Sequence, residues 1–430
     1  MRTIQISVCL VVTGACLGLS LPVAAQNAPL SLNDCIHLAL EAPSPVTVAE
    51  LDVDIAQRGR VVARSGFLPH ASFGIDHFYN SPRASDPTAV SFVPSNAIRE
   101  FAALLTVVQD IDTSGRVRAE YQRARANQDI AGANLAIAER ELKRSVAAAY
   151  YRVLLARKLV EVFQERVDEA DGFEQRTRVR SDAGEAARAD VVKATSQAAS
   201  FRQVLSAART GAELANQALA SFWTDDVSQP LRLVDLIDRP VSEPSHDPSP
   251  ASYLTRQEFR LFDAEQRSFD ADARHARSAM RPQVQLAVQW GVDQEVPGLS
   301  FDDRGYAALA SLRLTLFDWS RASNQARQAD ARTARVGQIR EIANREFARE
   351  YQSALVRVRG LFEQISLARI QGTASEEDLR LSRVRYEGGE GLALEVVTAA
   401  AQLAEARASY YTAIADYLTA RRDLEVASGQ

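Results

Sequence analysis

The feature that most limits the possible folds of this chain is an internal repeat with a spacing of about 205 residues. Residues 178–197 and 383–402 align without gaps and are identical at nine of twenty positions. The identical residues are Arg178, Val179, Arg180, Gly184, Glu185, Val191, Val192, Ala194 and Gln197, which recur as Arg383, Val384, Arg385, Gly389, Glu390, Val396, Val397, Ala399 and Gln402. Such a repeat builds two similar halves. Each half is predicted to contain, in order, a helix, a strand, a loop, a strand, a long helix, a turn and a helix.

The two halves cover residues 26–222 and 251–426, and residues 427–430 form a short tail. The segment between the halves, 223–250, contains five prolines. Proline removes a backbone donor and disrupts helix interiors, so this segment is predicted to be an irregular connector.

The first 25 residues are predicted to be an export signal. Arg2 supplies the positive charge, 4–19 is apolar, and Val23-Ala24-Ala25 places cleavage after Ala25. Lipoprotein processing at Cys16 is the alternative. Only Cys35 then remains, so the fold needs no internal disulfide. No later segment reaches the roughly 18 apolar residues of a membrane helix, which leaves a periplasmic, a secreted or an outer-membrane barrel protein.

Four segments alternate apolar and polar residues as strands do. They lie around 72–76, 101–107, 282–292 and 309–317, and the last carries Leu312, Leu314 and Leu316 on one face. Polar loops are predicted at 80–96 and 293–305. Each strand approaches the roughly 9–11 residues that cross a bilayer, although a half-buried sheet in a soluble sandwich has the same pattern.

Four strands cannot close a membrane barrel, for which about eight is the practical minimum. An open sheet edge cannot face lipid, because its backbone groups would have no hydrogen-bond partners there. If these strands cross a membrane, several chains must share one barrel. The periodicity alone does not distinguish between barrels of 8, 12 and 16 strands.

Most of the remaining chain is predicted to be helical, with coiled-coil-like seams. The long helices are expected at 114–180 and 320–386, and about 67 residues give roughly 100 Å of helix. Shorter helices, each about half as long, are expected at 31–65, 186–222, 251–280 and 392–426. In each half, the opening helix and the return helix together are as long as the long helix. The expected shape is a cylinder of nearly constant wall thickness. A solid bundle or a periplasmic adaptor hairpin would also explain the seams.

No pattern of catalytic or cofactor-binding residues is present. The chain lacks phosphate-loop and dinucleotide motifs, and its five histidines show no ligand spacing. A net charge of −5 gives no reason to expect a nucleic-acid partner. We therefore expect a protein that is not an enzyme and that needs no cofactor or metal.

Three elements, repeated in order, carry a family resemblance: the opening sequence Leu30–Leu40, Leu68-Pro69 before the first strand, and the doubled sequence around Gly184 and Gly389. The chain resembles the TolC-like outer membrane efflux proteins along nearly all of its mature length. The resemblance implies a mainly α fold with a transmembrane β-barrel contribution, in which a homotrimer shares a 12-stranded barrel in outer-membrane lipid. It also implies a periplasmic helical tunnel, a periplasmic adaptor and an inner-membrane transporter.

The resemblance further implies roles for residues of the doubled sequence. The turns at the periplasmic end would dock the adaptor through Ala183, Gly184, Glu185, Gly388, Gly389 and Glu390, unless they are plain helix reversals. Glu395 and Asp190 match the acidic positions where family members narrow the tunnel, and a ring of carboxylates would favour cations. Either carboxylate could instead be solvated or pair with Arg178, Arg180, Arg383 or Arg385.

The function expected from this resemblance is a passive exit duct of a tripartite efflux system. Two alternatives stay open: the exit duct of a type I protein secretion system, and a soluble periplasmic coiled-coil scaffold. The sequence does not identify the cargo.

Overall fold

The computed structural model describes residues 29–79, 99–243, 252–295 and 304–429. The helices are α1 Leu32–Glu41, α2 Pro45–Ser65, α3 Arg116–Asp182, α4 Arg188–Ala220, α5 Gln257–Ser278, α6 Arg321–Glu387 and α7 Ala393–Ala427. The strands are β1 His70–Tyr79, β2 Arg99–Ile111, β3 Gln283–Glu295 and β4 Arg304–Arg313. The expected signal at 1–25 and the expected loop at 80–96 lie outside the described residues. Of the second expected loop, 293–305, the first three residues belong to β3 and the last two to β4, and 296–303 lie outside the described residues.

The two long helices, α3 and α6, each contain 67 residues and begin within two residues of the predicted positions. Towards the sheet, α2 packs on α3, and α5 packs between α3 and α6. Towards the other end, α4 packs on α3, and α7 packs between α3 and α6. Short helices therefore lie end to end beside the long ones, as predicted, and α2, α4 and α6 form the lateral edges of the chain.

The opening helix differs from the prediction, because it is interrupted between α1 and α2. The predicted single helix at 31–65 stops at Glu41, and a new helix begins at Pro45. Pro43 lies in the interruption, where its missing N–H and its ring disfavour helix. Ser44 then caps α2, since its hydroxyl accepts from the backbone N–H of Val46 and its own N–H donates to Thr47 Oγ1 at 2.9 Å.

The four strands form one antiparallel sheet in the order β1-β2-β3-β4. Its register places Phe73, Leu105, Trp290 and Tyr306 in one row across all four strands. The same face carries Ile75, Ala103, Val107, Leu286, Val288, Ala308 and Leu312, and the side chains of the opposite face include Ser72, Thr106, Gln285, Gln289 and Ser311. One face is therefore continuously apolar, and it is exposed in the single chain.

The last strand ends earlier than the sequence pattern suggested. Leu314 and Leu316 were expected in the strand at 309–317, but β4 ends at Arg313. Arg313 pairs with Gln283, the first residue of β3, and Pro282 before it has no N–H to donate. The alternation continues in the sequence, but the partner strand does not.

One glycine allows the central strands to pair. Gly291 in β3 has a φ of +155°, and a Cβ atom there would lie 2.0 Å from the carbonyl oxygen of Ala103 in β2. Only glycine avoids this overlap. Gly305 lies opposite Gly291 in β4, and a Cβ atom there would meet open space.

Aspartates mark both junctions between the sheet and the long helices. The carboxylate of Asp112 accepts hydrogen bonds from the N–H groups of Val117 and Arg118, each at 3.0 Å. Asp318 Oδ2 accepts from the N–H of Ala322 at 2.8 Å. Each carboxylate therefore satisfies free donors at a helix start and faces the positive end of the helix dipole.

A buried ion-pair network joins α3, α5 and α6 in the half of the molecule next to the sheet. Arg140 Nη2 and Arg256 Nη2 lie 2.7 and 2.9 Å from Glu258 Oε1, and Arg256 Nη1 lies 2.7 Å from Glu350 Oε2. Burial disfavours the charged carboxylate, but the hydrogen bonds from Arg140 and Arg256 outweigh it and lower the pKa of Glu258 to about 2.

The connector is irregular over its described part and packs against the middle of α3. Leu30 forms a parallel bridge with Leu233. The Tyr150 hydroxyl oxygen lies 2.7 Å from the carbonyl oxygen of Val234, and Lys158 Nζ lies 2.7 Å from Asp238 Oδ2. The connector therefore contacts both Leu30, just before α1, and the long helix α3. No helix in the described part of the chain is long and apolar enough to span a membrane.

Candidate functional site: the hairpin tips

The first long helix ends in a turn whose geometry requires glycine. Gly184 has a φ of +79°, a backbone conformation that glycine adopts without steric cost. The N–H of Glu185 donates to the carbonyl of Arg180 at 2.8 Å, and the N–H of Gly184 donates to Ser181 at 3.0 Å. These two bonds form a Schellman motif, which satisfies the last carbonyl groups of α3.

The second long helix ends in the same way. Gly389 has a φ of +80°, and the N–H of Glu390 donates to the carbonyl of Arg385 at 3.0 Å. The N–H of Gly389 donates to Tyr386 at 3.2 Å. The doubled sequence thus encodes two copies of one helix-reversal geometry, on which α4 and α7 begin their return.

The structure places all six predicted docking residues at the two turns. Ala183, Gly184, Glu185, Gly388, Gly389 and Glu390 are all exposed. They lie at the end of the molecule farthest from the sheet, about 100 Å away by the helical rise. The geometry makes them accessible to a partner, and their docking role stays a prediction.

The two tips differ in their apolar side chains. Leu392 and Leu394 beside the second turn are 65% and 49% exposed, whereas the first turn has Ala187 and Ala189 at the matching positions. The second tip therefore presents more apolar surface to a partner.

Tyr386 joins the two hairpins beneath their turns. It is buried, and its ring centroid lies 5.3 Å from that of Phe173 on α3. Arg180 Nη1 donates to the carbonyl of Tyr386 at 3.2 Å, and the Arg180 guanidinium lies 5.2 Å from the ring centroid of Tyr386. The relative position of the two tips is thus fixed by contacts within one chain.

Of the two predicted gate residues, Glu395 is paired within its own chain. Its Oε2 lies 3.1 Å from Arg385 Nη1, with the two side chains 37% and 56% exposed. Asp190 occupies the matching first turn of α4 and is half-buried, with no ion pair among the residues that the structure describes. The two gate candidates are thus in different electrostatic settings, and their gate role stays a prediction.

An arginine cluster above the tips was not identified from the sequence. Arg166 and Glu169 of α3 meet Arg383 of α6, and Glu165 of α3 pairs with Arg407 of α7 at 2.6 Å. Arg383 belongs to the doubled sequence, but nothing in the repeat reveals that it bonds to the other half. Within the described residues, no cluster of His, Cys, Asp and Glu side chains suits a metal ion.

The family model for outer membrane efflux proteins matches residues 35–224 and 254–430 of this chain. The chain belongs to the outer membrane efflux protein family. One matched segment falls in each half of the repeat, so the two halves of this efflux-family chain are separately recognisable. The resemblance inferred from the sequence is thereby confirmed.

Solved structures share the fold over almost the whole chain. A membrane protein from Pseudomonas aeruginosa has a TM-score of 0.83 at 21% identity, covering 93% of this chain and 90% of that one. The outer membrane protein VceC from Vibrio cholerae has a TM-score of 0.81 at 18% identity, covering 93% and 96%. The open-state MtrE outer membrane channel from Neisseria gonorrhoeae has a TM-score of 0.81 at 22% identity, covering 93% and 88%. No curated protein sequence matches the chain.

These comparisons confirm the predicted fold class, a mainly helical chain with four antiparallel strands. Structural neighbours whose role is stated, such as OprN and MtrE, are described as outer-membrane channels. At these identities the likeness concerns the fold.

Proposed function

We propose that this chain is one of three identical subunits of an outer-membrane duct, which serves as the passive exit of a tripartite efflux system. The observation that carries the proposal is the exposed apolar face that runs across all four strands. Such a face suits contact with lipid, while the opposite face, which carries most of the polar side chains of the sheet, suits a water-filled lumen. β1 and β4 are open edges, which a membrane sheet must pair with another chain.

The lateral helices support closure by further copies. On one edge, α2 exposes Val48, Leu51 and Ile55 at helical spacing. On the other edge, α6 exposes Ile342, Val356 and Ile370. Two different apolar edges on one chain allow a head-to-tail contact, which closes into a ring when the rotation per subunit fits. Three copies of the four-stranded sheet make the predicted 12-stranded barrel.

The far end of each subunit then meets the remainder of the efflux system in the periplasm. The exposed turns at Gly184 and Gly389 are the surfaces for a periplasmic adaptor, which links the duct to an inner-membrane transporter. The transporter supplies the energy, since the sequence contains no nucleotide-binding motif. The cation preference of the duct arises at the constriction formed by Glu395 and Asp190.

Location and assembly are tested together with a matched pair of variants. Leu286 lies on the apolar face of β3, and Gln289 lies on the polar face of the same strand. Leu286→Asp is expected to remove the protein from the outer-membrane fraction, because a carboxylate on the lipid face is costly. Gln289→Asp is expected to leave it there. Detergent-extracted wild type should appear as threefold particles with a stalk about 100 Å long, and a soluble monomer in the periplasm would refute the proposal.

The docking role is tested by photo-crosslinking in cells. A crosslinking residue at Glu185 or Glu390 is expected to capture a periplasmic adaptor protein. The same residue at Glu346, which is exposed on α6 about 60 Å from the turn by the helical rise, should not. Equal capture at all three sites would contradict docking through the tips.

A further inference from the structure

A small, partly open cavity lies in the wall of the chain, between α3, α4, α6 and α7. Its volume is about 20 Å³, which is room for one particle of the size of a water molecule. It lies about 24 Å above the first turn by the helical rise from Arg166 to Asp182. Its polar lining is formed by Arg166, Glu169, Gln197 and Arg383, and its apolar lining includes Val396 and Ala400.

Arg166 lines this cavity with hydrogen-bond donors that have no acceptor. The residue is only 3% exposed, and its Nε and Nη1 are buried without a hydrogen bond. Nη1 lies 2.6 Å from Glu169 Oε2, so the two charges attract each other, although the angle does not suit a hydrogen bond. The same oxygen accepts from Arg383 Nη2 at 2.7 Å. Buried donors left without acceptors are costly, which indicates that something else accepts from Arg166.

The charges around the cavity favour an anion. Two guanidinium groups, Arg166 and Arg383, face one carboxylate, Glu169, and arginine keeps its charge in proteins. Outside the lining, Arg407 pairs with Glu165 at 2.6 Å and with Glu376 at 3.4 Å, and Glu165 Oε2 lies 3.6 Å from Arg166 Nη2.

The remaining walls add no negative charge. From α4, the half-buried Gln197 contributes a neutral amide. The lining side chains of α7 are apolar. The pKa of Arg166 is lowered because burial disfavours its charge, and Glu169 offsets this effect only in part.

We propose that this cavity binds one small monovalent anion of the size of chloride. The anion accepts hydrogen bonds from Arg166 Nε and Nη1 and from the Gln197 amide, and it balances the second guanidinium. A water molecule would accept the same hydrogen bonds but would leave the lining itself, with two guanidinium groups and one carboxylate, positively charged. Because the cavity is lined from four helices of both halves, the bound anion holds α3 and α4 against α6 and α7 just above the tips.

Bromide locates the site directly in the wild-type protein. Crystals of the detergent-solubilised protein soaked in sodium bromide are expected to show an anomalous peak in the cavity, within about 3.5 Å of Arg166 Nε, the usual range of such contacts. Density there without an anomalous signal would identify a water molecule and overturn the proposal. This experiment needs no variant, so a folding defect cannot obscure it.

Solution stability shows whether the anion binds outside a crystal. At constant ionic strength, replacing gluconate, which is too large for the cavity, with chloride is expected to raise the midpoint of thermal unfolding by about 2 °C. Arg166→Met should abolish this rise. Arg202→Met, which removes an exposed arginine of α4, should retain it.

Two results in solution would overturn the proposal. One is an equal rise in Arg166→Met, which would assign the effect to another site. The other is a bromide peak without any chloride-dependent shift of the wild type, which would mean binding at crystal concentration only.

Discussion

Arg385 and Glu395 face each other across the second hairpin tip, with 3.1 Å between Nη1 and Oε2. Arg385 lies in the last turn of α6, and Glu395 lies in the first turn of α7. Each charge also faces the favourable end of its own helix dipole. The charge of Glu395, the carboxylate proposed for the constriction, is therefore partly neutralised by Arg385 of the same subunit.

The first prediction concerns ion preference. Arg385→Gln removes the partner of Glu395 and is expected to raise the cation-to-anion permeability ratio about two- to threefold, the size expected when a half-exposed ion pair is lost. Glu395→Gln should lower the ratio. Reversal potentials in planar bilayers under a salt gradient measure both. Glu390→Gln, at the exposed turn, is the control, and an equal effect there would argue against a constriction at Glu395.

The second prediction concerns the glycine turns. Gly389→Val places a β-branched residue at a φ of +80° and is expected to destabilise the turn by about 1–2 kcal/mol. The amide of Glu390, which donates to Arg385, should then exchange with deuterium faster. Gly372→Ala, in the interior of α6 with open space around the new Cβ atom, should leave that amide unchanged. Unaltered exchange in Gly389→Val would contradict the assigned turn.

The third prediction concerns strand pairing. Gly291→Ala places a Cβ atom 2.0 Å from the carbonyl oxygen of Ala103, so β2 and β3 must separate locally. We expect strongly reduced assembled protein in the outer-membrane fraction, measured as heat-modifiable oligomer on a gel. Gly305→Ala, at the paired position in β4 where the space is open, should assemble normally. Equal assembly of both variants would show that the sheet tolerates a side chain at 291.

The fourth prediction concerns acid stability. The pKa of Glu258 is about 2, below its ordinary value of 4.5. The ionised form is therefore favoured in the folded state. Its contribution is complete above about pH 4.5 and is lost as the pH falls towards 2. Glu258→Gln is expected to lower the free energy of unfolding by about 2–3 kcal/mol at pH 7.

Chemical unfolding at pH 7, 4 and 3 measures this difference. The gap between wild type and Glu258→Gln should narrow as the pH falls, because Glu258 takes up a proton in the unfolded state below about pH 4.5 and in the folded state only near pH 2. Glu341→Gln, which removes an exposed carboxylate of α6 that forms no ion pair among the described residues, should follow the wild type at every pH. A gap that stays constant between pH 7 and 3 would show that the ionised carboxylate is not the cause.

The sequence predicts the helices well because their signals are local. Apolar spacing placed both long helices within two residues, and the doubled sequence located the turns at Gly184 and Gly389. The break in the opening helix was equally local, since Pro43 and the capping residue Ser44 were visible in the sequence. Proline in that position outweighs the helical periodicity on either side.

What the sequence cannot predict depends on residues that meet only in the folded chain. Leu314 and Leu316 continue the alternation of β4, but the strand ends because its partner begins at Gln283. The choice of Arg385 as the partner of Glu395 depended on the direction of the return helix. The environment of Arg166 depends on four helices whose contributing residues are far apart in sequence, and no local pattern encodes it.

The helices α3 and α6 have the same length, 67 residues each. This equality sets both hairpin tips at the same distance from the sheet. Deleting one residue from either helix would shorten it by about 1.5 Å and rotate everything beyond the deletion by about 100°. One tip would then sit higher than the other, with its packing seam turned away from its neighbours. The length of the stalk can therefore change only by whole heptads or 11-residue units, which return the packing face to its neighbours. The same change is needed in both halves, so two segments about 205 residues apart must change together.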